Sequence, residues 1–196
     1  MLLIENLRDC AIVSRRVNSG VKHQKSMADV IVAESKIHGL GVFATRDFAE
    51  GEIILPIDDS RIVDDAHPLN TESGEHDHHC DYLAGGKTVL MRSPERHINS
   101  CCDPNTYVKT INGIRHVVAR KPIKSGEEIT YDYIIDCHGG TVWQCDCGTS
   151  RCRGTIVSSF FELPVELQLE YLPLLNEWFT EEHREKISTL RHATDA

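Results

Sequence analysis

Short apolar runs, many of them β-branched, alternate with glycines and polar turns from residue 28 to about residue 136. Runs of about four to eight residues bounded by such turns are typical of short β-strands. Asn112-Gly113, between two of the runs, is a strong signal for a β-hairpin. The sequence therefore predicts a β-rich core. The predicted strands lie within segments 30–32, 42–44, 53–57, 87–91, 107–111, 114–120 and 127–135.

The period changes after Ser158, where apolar residues recur every three to four positions. This spacing predicts a helical segment with one apolar face. Pro164 suits the first turn of a helix, and Pro173 should kink the segment or divide it into two helices. We expect the apolar face to pack on the core, and a homodimer interface is the alternative. The recurring residues are Leu163, Leu167, Tyr171, Leu174, Leu175 and Trp178.

Charge and composition narrow the possible partners. Apolar residues make up 40% of the chain, and both signs of charge are interspersed among them, which indicates a soluble globular protein. No apolar run approaches the ~20 residues that cross a bilayer, and the first residues lack the order of a secretory signal. We therefore expect cytoplasmic or nuclear residence. The net charge of −9 disfavours direct nucleic-acid binding and suits a basic peptide partner.

Three cysteines crowd into one short, glycine-containing stretch: Cys145, Cys147 and Cys152. In a chain without a secretory signal, such clustering indicates a metal before it indicates disulfides. A structural zinc site takes four thiolate or imidazole ligands, so one further ligand must come from elsewhere. Spacing alone does not choose it. The candidates are Cys101, Cys102, Cys137 and several histidines.

A polar, acidic stretch over residues 58–86 interrupts the strand pattern, and we expect a surface insert that could contain one short helix. It contains His76, His78, His79 and Cys80, which could bind a second metal ion, although a solvated loop is the more common meaning of such a run. Its acidic residues could equally receive a basic peptide or remain solvated.

Two further patterns are weak by themselves. Gly39 and Gly41 form a Gly-x-Gly turn between predicted strands, where backbone can approach a ligand closely or simply reverse direction. Tyr131 and Tyr133 stand at i and i+2 of the predicted strand 127–135, so both rings should face one side. They could be core residues or line a hydroxyl-bearing pocket.

Taken in order, four segments carry a specific resemblance. The series SKIHGLGVFA, HINSCCDPN, GEEITYDY and CDCGTSRCRG resembles, in sequence and spacing, the SET-domain family of protein-lysine methyltransferases. The family pattern is a Gly-x-Gly segment, an Asn-His-Ser-Cys-x-Pro-Asn segment, a Gly-Glu-Glu-Leu-Thr-Tyr/Phe-Asp-Tyr segment and a post-SET Cys-x-Cys-x4-Cys motif. The resemblance covers residues 28 to 156, which is most of the chain.

The resemblance implies a role for each matching residue. The turn segment and the Asn99-Ser100 pair would hold S-adenosylmethionine, and Trp143 could pack on its adenine or belong to the core. Tyr133 matches the catalytic tyrosine, and Tyr131 falls where the family limits the number of methyl groups added. Cys102 aligns with the family's zinc-binding cysteine and would complete a site for one structural zinc ion. The implied cofactor-binding residues are His38, Gly39, Leu40, Gly41, Asn99, Ser100 and Trp143, and the implied zinc ligands are Cys102, Cys145, Cys147 and Cys152.

One position departs from the pattern. Ser100 stands where the family usually has a histidine, which replaces a ring with a short hydroxyl beside the cofactor. Because the resemblance implies contacts there that are largely made by backbone, we expect weakened rather than abolished cofactor binding.

The resemblance implies a mainly β (β-rich α+β) fold: small curved sheets with a knot-like C-terminal threading, a post-SET zinc loop and a C-terminal helical tail. The expected boundaries are an N-terminal extension at 1–27, a SET domain at 28–136, the zinc loop at 137–156 and the helical segment at 157–196. The implied activity is methyl transfer from S-adenosylmethionine to lysine in a basic, lysine-containing protein. The alternatives are a catalytically silent interaction module and a zinc-stabilised β protein with an unrelated ligand.

Overall fold

The computed structural model describes residues 29–192, and the expected extension at 1–27 lies outside them. The described part is mainly β, as expected, with short strands in small sheets and three short α-helices near its C-terminal end. The strands are β1 (Val30–Glu34), β2 (Leu40–Ala44), β3 (Ile53–Pro56), β4 (Ile62–Val63), β5 (Cys80–Leu83), β6 (Lys87–Leu90), β7 (Asn99–Ser100), β8 (Thr106–Ile111), β9 (Ile114–Ala119), β10 (Glu128–Tyr131), β11 (His138–Gln144) and β12 (Thr155–Ser159). The helices are α1 (Val165–Tyr171), α2 (Glu177–Glu182) and α3 (Arg184–His192).

The first sheet has the strand order β1-β2-β10-β7 and carries the glycine turn at one end. Strands β1 and β2 pair antiparallel, with Glu34 opposite Leu40, so the turn 35–39 closes a hairpin. Strand β10 pairs antiparallel with β2 and parallel with β7. This arrangement brings the glycine turn, the Asn99-Ser100 strand and the first tyrosine of the predicted pair into one sheet.

The second sheet has the order β3-β9-β8 and contains the predicted hairpin. Asn112 and Gly113 have φ values of 51° and 78°, the left-handed conformation that a two-residue turn of this type needs, so the hairpin prediction is confirmed. Apolar residues from both sheets and from the segments that adjoin their strands form the first core. Its buried members are Val30, Val42, Ala44, Phe48, Ile54, Leu55, Ile57, Ile98, Val117, Ala119, Ile123 and Ile129.

The polar insert is more ordered than its composition predicts. Strands β4 and β5 flank β6 in a three-stranded sheet, and two single-turn 3-10 helices, Thr71–Ser73 and Asp77–His79, precede β5. Arg61 and Glu75 of the insert form an ion pair with each other at 2.7 Å, whereas Asp59 and Asp81 pair with Arg115 of β9. Strands β4 and β5 form because each pairs with β6. A polar sequence in which apolar and polar residues do not alternate clearly does not reveal such pairing.

Two predicted boundaries differ from the structure. The strand predicted to reach Ile135 ends at Tyr131, because residues 133–136 form a turn in which Asp136 has a φ of 64°. The segment expected to be a cysteine loop is partly a hairpin, since β11 and β12 pair on either side of the cysteines.

The helical tail divides as Pro173 predicts: α1 ends at Tyr171 and a 3-10 turn, Leu172–Leu174, separates it from α2. Pro164 stands one position before α1 rather than inside its first turn. The apolar face packs on the chain's own second core, as expected, and a dimer through this segment remains a prediction. No helix among residues 29–192 is long and apolar enough to cross a membrane. Buried members of the second core are Cys101, Cys102, Ile134, Cys147, Ile156, Phe160, Leu163, Tyr171, Phe179, Ile187 and Leu190.

Candidate active site

The glycine turn is rigid and closely packed. Gly39 has a φ of 48°, and its carbonyl accepts a hydrogen bond from the backbone N–H of Ser35 at 2.9 Å. A Cβ atom at Gly41 would collide with the Glu128 carboxylate, so a side chain there would displace this carboxylate from its position against the turn. Ser35 Oγ in turn donates to both carboxylate oxygens of Glu128, at 2.8 and 2.9 Å. The turn is therefore fixed to strand β10.

Asn99 braces the same turn from β7. Its side-chain Nδ2 donates to the His38 carbonyl at 3.1 Å, to the Leu40 carbonyl at 3.0 Å and to Glu128 Oε1 at 2.8 Å. The residue is buried, so these bonds are not open to exchange with water. Four of the predicted cofactor-binding residues and Asn99 thus form one braced unit, while His38 and Gly39 remain exposed.

Tyr131 and Tyr133 are close together, although only Tyr131 lies on a strand. Their ring centroids are 4.9 Å apart, and the rings are inclined by 53°. The Tyr133 hydroxyl donates to the Ile98 carbonyl at 2.7 Å, and its backbone N–H lies 3.4 Å from Ser100 Oγ. Tyr131 is directly opposite Ser100 in the parallel pair. The tyrosines therefore adjoin the strand that braces the glycine turn.

Both tyrosines line a cavity of about 490 Å³. Most of its wall comes from the insert sheet, from the turn after β10 and from the C-terminal helical segment, and aromatic and acidic residues are prominent in it. The glycine turn, Trp143 and the clustered cysteines are not part of this wall. Its aromatic and ionisable residues are Asp81, Tyr82, Tyr107, Arg115, Tyr131, Asp132, Tyr133, Asp136, His138, Trp178, Phe179, Glu182 and His183.

Trp143 lies on β11, opposite Ile156 of β12. It is partly buried and packs against the second core, as does Ile37 of the glycine-turn segment. Trp143 therefore packs against the core, which is one of the two roles left open by the sequence. Part of its side chain is exposed.

The cysteine quartet is brought together by the fold. The sulfur atoms of Cys102, Cys145, Cys147 and Cys152 all lie within 4.8 Å of one another. The Cys102 and Cys145 sulfurs are 3.7 Å apart, which matches the separation of about 3.8 Å expected for two thiolates at 2.3 Å from a tetrahedral zinc ion. Cys101 also points into the second core, but Cys102 belongs to the quartet.

The thiols of the quartet differ in how readily they ionise. Burial raises the pKa of Cys102 and of Cys145. Burial acts in the same direction on Cys147, but hydrogen bonds from the Cys102 backbone and from Thr149 outweigh it and lower the pKa of this thiol to about 6. A buried cluster of this kind, with one readily formed thiolate, fits a soft cation such as Zn²⁺.

Asp132, between the two tyrosines, connects them to the cysteine loop. Its carboxylate is fully buried and accepts two hydrogen bonds from the Arg153 guanidinium, at 2.6 and 2.8 Å. The backbone N–H of Arg153 lies 3.4 Å from Cys102 Sγ. The Tyr171 hydroxyl of α1 donates to Asp132 Oδ2 at 3.2 Å. One buried ion pair thus joins the tyrosine segment, the quartet and the first helix.

The histidine cluster of the insert does not have metal-site geometry. The His76 and His78 rings stack at 5.1 Å, and the His78 and His79 rings lie 4.2 Å apart. Burial lowers the pKa of His79 to about 4. Within residues 29–192, ligand atoms converge as a metal site requires only in the cysteine quartet.

Sequence reasoning missed Glu128, Asp132, Arg153 and Ser35. Each lies inside one of the four segments that carry the resemblance, and Asp132 and Arg153 directly adjoin residues with an implied role. One feature of the sequence indicates Arg153: it directly follows the predicted zinc ligand Cys152. In the structure its guanidinium therefore lies close to the core, where it reaches Asp132. The Ser35–Glu128 contact joins residues 93 positions apart, so no local sequence pattern predicts it.

Comparison with known proteins gives a consistent result. Residues 39–134 match the model of the SET domain family. A histone-lysine N-methyltransferase of Yarrowia lipolytica, H3 lysine-36 specific by name, is 30% identical over 162 residues, which is 77% of this chain and 21% of that protein. Histone-lysine N-methyltransferase trithorax of Drosophila melanogaster is 29% identical over 138 residues, which is 62% of this chain and 4% of that protein.

Histone-lysine N-methyltransferase Set2 of Drosophila melanogaster is 31% identical over 169 residues, covering 80% of this chain and 7% of that protein. The chain therefore spans less than a quarter of the length of each of these relatives. A crystal structure of a Plasmodium falciparum protein named as a histone methyltransferase superposes with a TM-score of 0.42 at 22% identity, over 55% of this chain and 95% of that one.

Proposed function

Residues 39–134 belong to the SET-domain family, and we propose that the chain transfers a methyl group from S-adenosylmethionine to the side-chain amine of a lysine in a protein substrate. The observation that carries the proposal is the placement of Tyr133. Its ring stands in the cavity wall beside Tyr131, and its hydroxyl is already oriented by the Ile98 carbonyl at 2.7 Å. The names of the relatives support lysine as the acceptor.

The glycine turn fits the cofactor that the family uses. Asn99 holds the carbonyls of His38 and Leu40, and Gly41 lets the Glu128 carboxylate lie directly against the turn. We propose that the backbone of residues 38–41, together with Asn99, Ser100 and the exposed part of Trp143, holds S-adenosylmethionine. When bound, the cofactor supplies an electrophilic methyl group on a positively charged sulfur.

The chain's own residues would prepare the amine. Lysine has an ordinary pKa of ~10.4 and must lose its proton before it can attack, and removal from bulk water favours the neutral form. The Tyr133 hydroxyl directs its proton at Ile98, so its oxygen can act only as an acceptor toward a bound amine. The two tyrosines would restrict the direction from which the amine approaches, so that its nitrogen would face the methyl group that a bound cofactor would supply.

The cysteine quartet fits one structural zinc ion, and we propose Cys102, Cys145, Cys147 and Cys152 as its ligands. The four sulfurs converge and four thiolates satisfy the coordination of Zn²⁺ without a solvent ligand, as in a structural rather than a catalytic site. The ion would hold the 145–152 loop against Cys102 and against the second core.

The partner class follows from charge and from the relatives. A net charge of −9 and an acidic cavity wall favour a basic substrate. The relatives are named for histone lysines, so we propose a histone-like basic tail as the substrate and the nucleus as the place of action.

Incubation of the purified chain with methyl-labelled S-adenosylmethionine and a panel of basic proteins tests the proposal. The expected result is label on lysine, located by mass spectrometry of peptides. A titration of the cofactor by calorimetry runs beside it. Cofactor binding without transfer to any protein would favour a silent interaction module, and failure to bind the cofactor would contradict the proposal outright.

A further inference from the structure

One wall of the tyrosine cavity is supplied by α2, which lies outside the residues that match the SET domain. Trp178 and Glu182 are separated by four residues and share one helix face, as do Phe179 and His183 at the end of the helix. All four line the cavity, whereas Glu181 does not. A single face of this helix therefore looks onto the space that the two tyrosines enclose.

The helix wall is fixed to the tyrosine segment through Asn176, the residue immediately before α2. Asp136, which also lines the cavity, accepts hydrogen bonds from the backbone N–H of Asn176 at 2.8 Å and from Asn176 Nδ2 at 2.6 Å. Thr110 Oγ1 of β8 donates to Asn176 Oδ1 at 3.0 Å. Asn176 is buried, so the start of α2 has one position relative to Tyr133.

The chemistry of this wall suits a cation. Trp178 is partly buried in the second core and keeps part of its surface accessible, and the exposed Glu182 follows it by one helical turn. Burial and the Lys186 charge lower the pKa of His138, and Glu182 is near enough to this ring for its negative charge to oppose that shift in part. On the insert side, Asp59 and Asp81 share the single guanidinium of Arg115, which leaves one surplus negative charge. An aromatic face beside carboxylates is the arrangement that binds a guanidinium.

We propose that the α2 wall binds an arginine side chain of the substrate that lies close to the target lysine, with the guanidinium over Trp178 and hydrogen-bonded to Glu182. Arginine fits better than a second lysine because its planar group can stack on indole and engage a carboxylate with two N–H donors. The inference rests on the proposed function, since it assumes that the target lysine occupies the tyrosine end of the cavity. Trp178 and Glu182 would be specificity-determining residues.

Matched peptides test the idea. Each peptide carries one lysine, with arginine placed in turn at each neighbouring position, and each has a twin with citrulline there, which keeps the shape and removes the charge. For the best position we expect kcat/KM to favour arginine by roughly fivefold or more, the scale of a partly desolvated cation–aromatic contact. In Glu182→Gln this preference should fall below about twofold, mainly through a higher KM for the arginine peptide.

Glu181→Gln is the matched control, because Glu181 is the preceding residue, is 76% exposed and pairs with Arg184. It should keep the full arginine preference. Trp178→Phe retains an aromatic face and should keep part of the preference, whereas Trp178→Ala should lose it; thermal melting checks that each variant folds. Retention of the preference by Glu182→Gln, or equal rates on both twins with the wild type, would overturn the inference. Absence of transfer to every lysine peptide would instead contradict the proposed function.

Discussion

The Tyr133 hydroxyl shows how one side chain acquires a role from backbone placed elsewhere. Ile98 directly precedes the short strand β7, and its carbonyl accepts a hydrogen bond from the Tyr133 hydroxyl, with 2.7 Å between the two oxygen atoms. The identity of Tyr133 was predictable because it ends a specific motif. Its acceptor was not, since it depends on the parallel pairing of β7 with β10, which brings together residues that no local period relates.

Tyr133→Phe should lower the rate of methyl transfer by a factor on the order of 10²–10⁴, as expected when a positioned polar group at the reacting atom is lost. The fold and cofactor affinity should change little, because one hydrogen bond contributes only about 1 kcal/mol to the free energy of unfolding. Single-turnover transfer and calorimetric cofactor binding measure the two effects. Unchanged turnover would move the catalytic role to another residue.

Tyr131 belongs to the same cavity wall, and its ring packs against that of Tyr133. A phenol there can hold a water molecule or the amine itself, and so occupies space that a more methylated nitrogen needs. We expect the wild type to stop mainly at mono- or dimethyl-lysine and Tyr131→Phe to shift the product toward trimethyl-lysine.

Mass spectrometry of a single-lysine peptide decides the matter. Tyr107→Phe is a suitable control, because Tyr107 lines the same cavity on β8 and has no place in the motif. Predominant trimethylation by the wild type would leave the hypothesis without support, as would an unchanged product in Tyr131→Phe.

At the scale of elements, most of the architecture follows from local pattern. The hairpin follows from Asn112-Gly113, because these residues readily take the positive φ values of a tight turn. The division of the tail follows from Pro173, because proline lacks the backbone N–H that a helix interior needs. The insert sheet did not follow, because β4 has two residues and forms only by pairing with β6. The end of β10 at Tyr131 also escaped prediction, since apolar alternation continues through the turn at residues 133–136.

The Asp132–Arg153 pair joins two such elements, and removing one partner should be costly. Arg153→Ala leaves a fully buried carboxylate without its counter-ion and should lower the free energy of unfolding by about 3–5 kcal/mol. Denaturant unfolding measures the loss. Arg151→Ala is the matched control, because Arg151 lies on the other side of Cys152 and pairs with Glu170 near the surface.

That exposed pair should contribute less than about 1 kcal/mol. Equal losses in the two variants would show that Asp132 is satisfied without Arg153. Zinc content should be measured in both, so that loss of the ion is distinguished from loss of the ion pair.

At the scale of the whole molecule, residues 29–192 form two cores, and the tyrosine segment lies where they meet. Tyr131 packs against the first core, while Ile134, Cys102 and Cys147 belong to the second. The cavity is therefore shaped by both cores, by the insert sheet and by α2. The family motifs indicate the first core. In the second core, they indicate only the cysteines. The helix wall comes from an ordinary amphipathic segment, and its contribution to the cavity could be found only in three dimensions.

Zinc should stabilise the second core, and its loss should lower both the stability of the protein and its affinity for the cofactor. We expect one zinc ion per chain, and we expect Cys147→Ser to reduce zinc content and melting temperature together, because binding of a structural ion is coupled to folding. Chelation should also weaken cofactor binding, since the 145–152 loop is continuous with β11, which carries Trp143. Metal analysis, thermal melting and calorimetry measure the three effects.

Cys101→Ser is the control. Cys101 is adjacent to Cys102 and is also buried, but it lies outside the quartet, so this variant should retain the ion. Zinc-free wild-type protein would refute the assignment, as would full retention of zinc by Cys147→Ser.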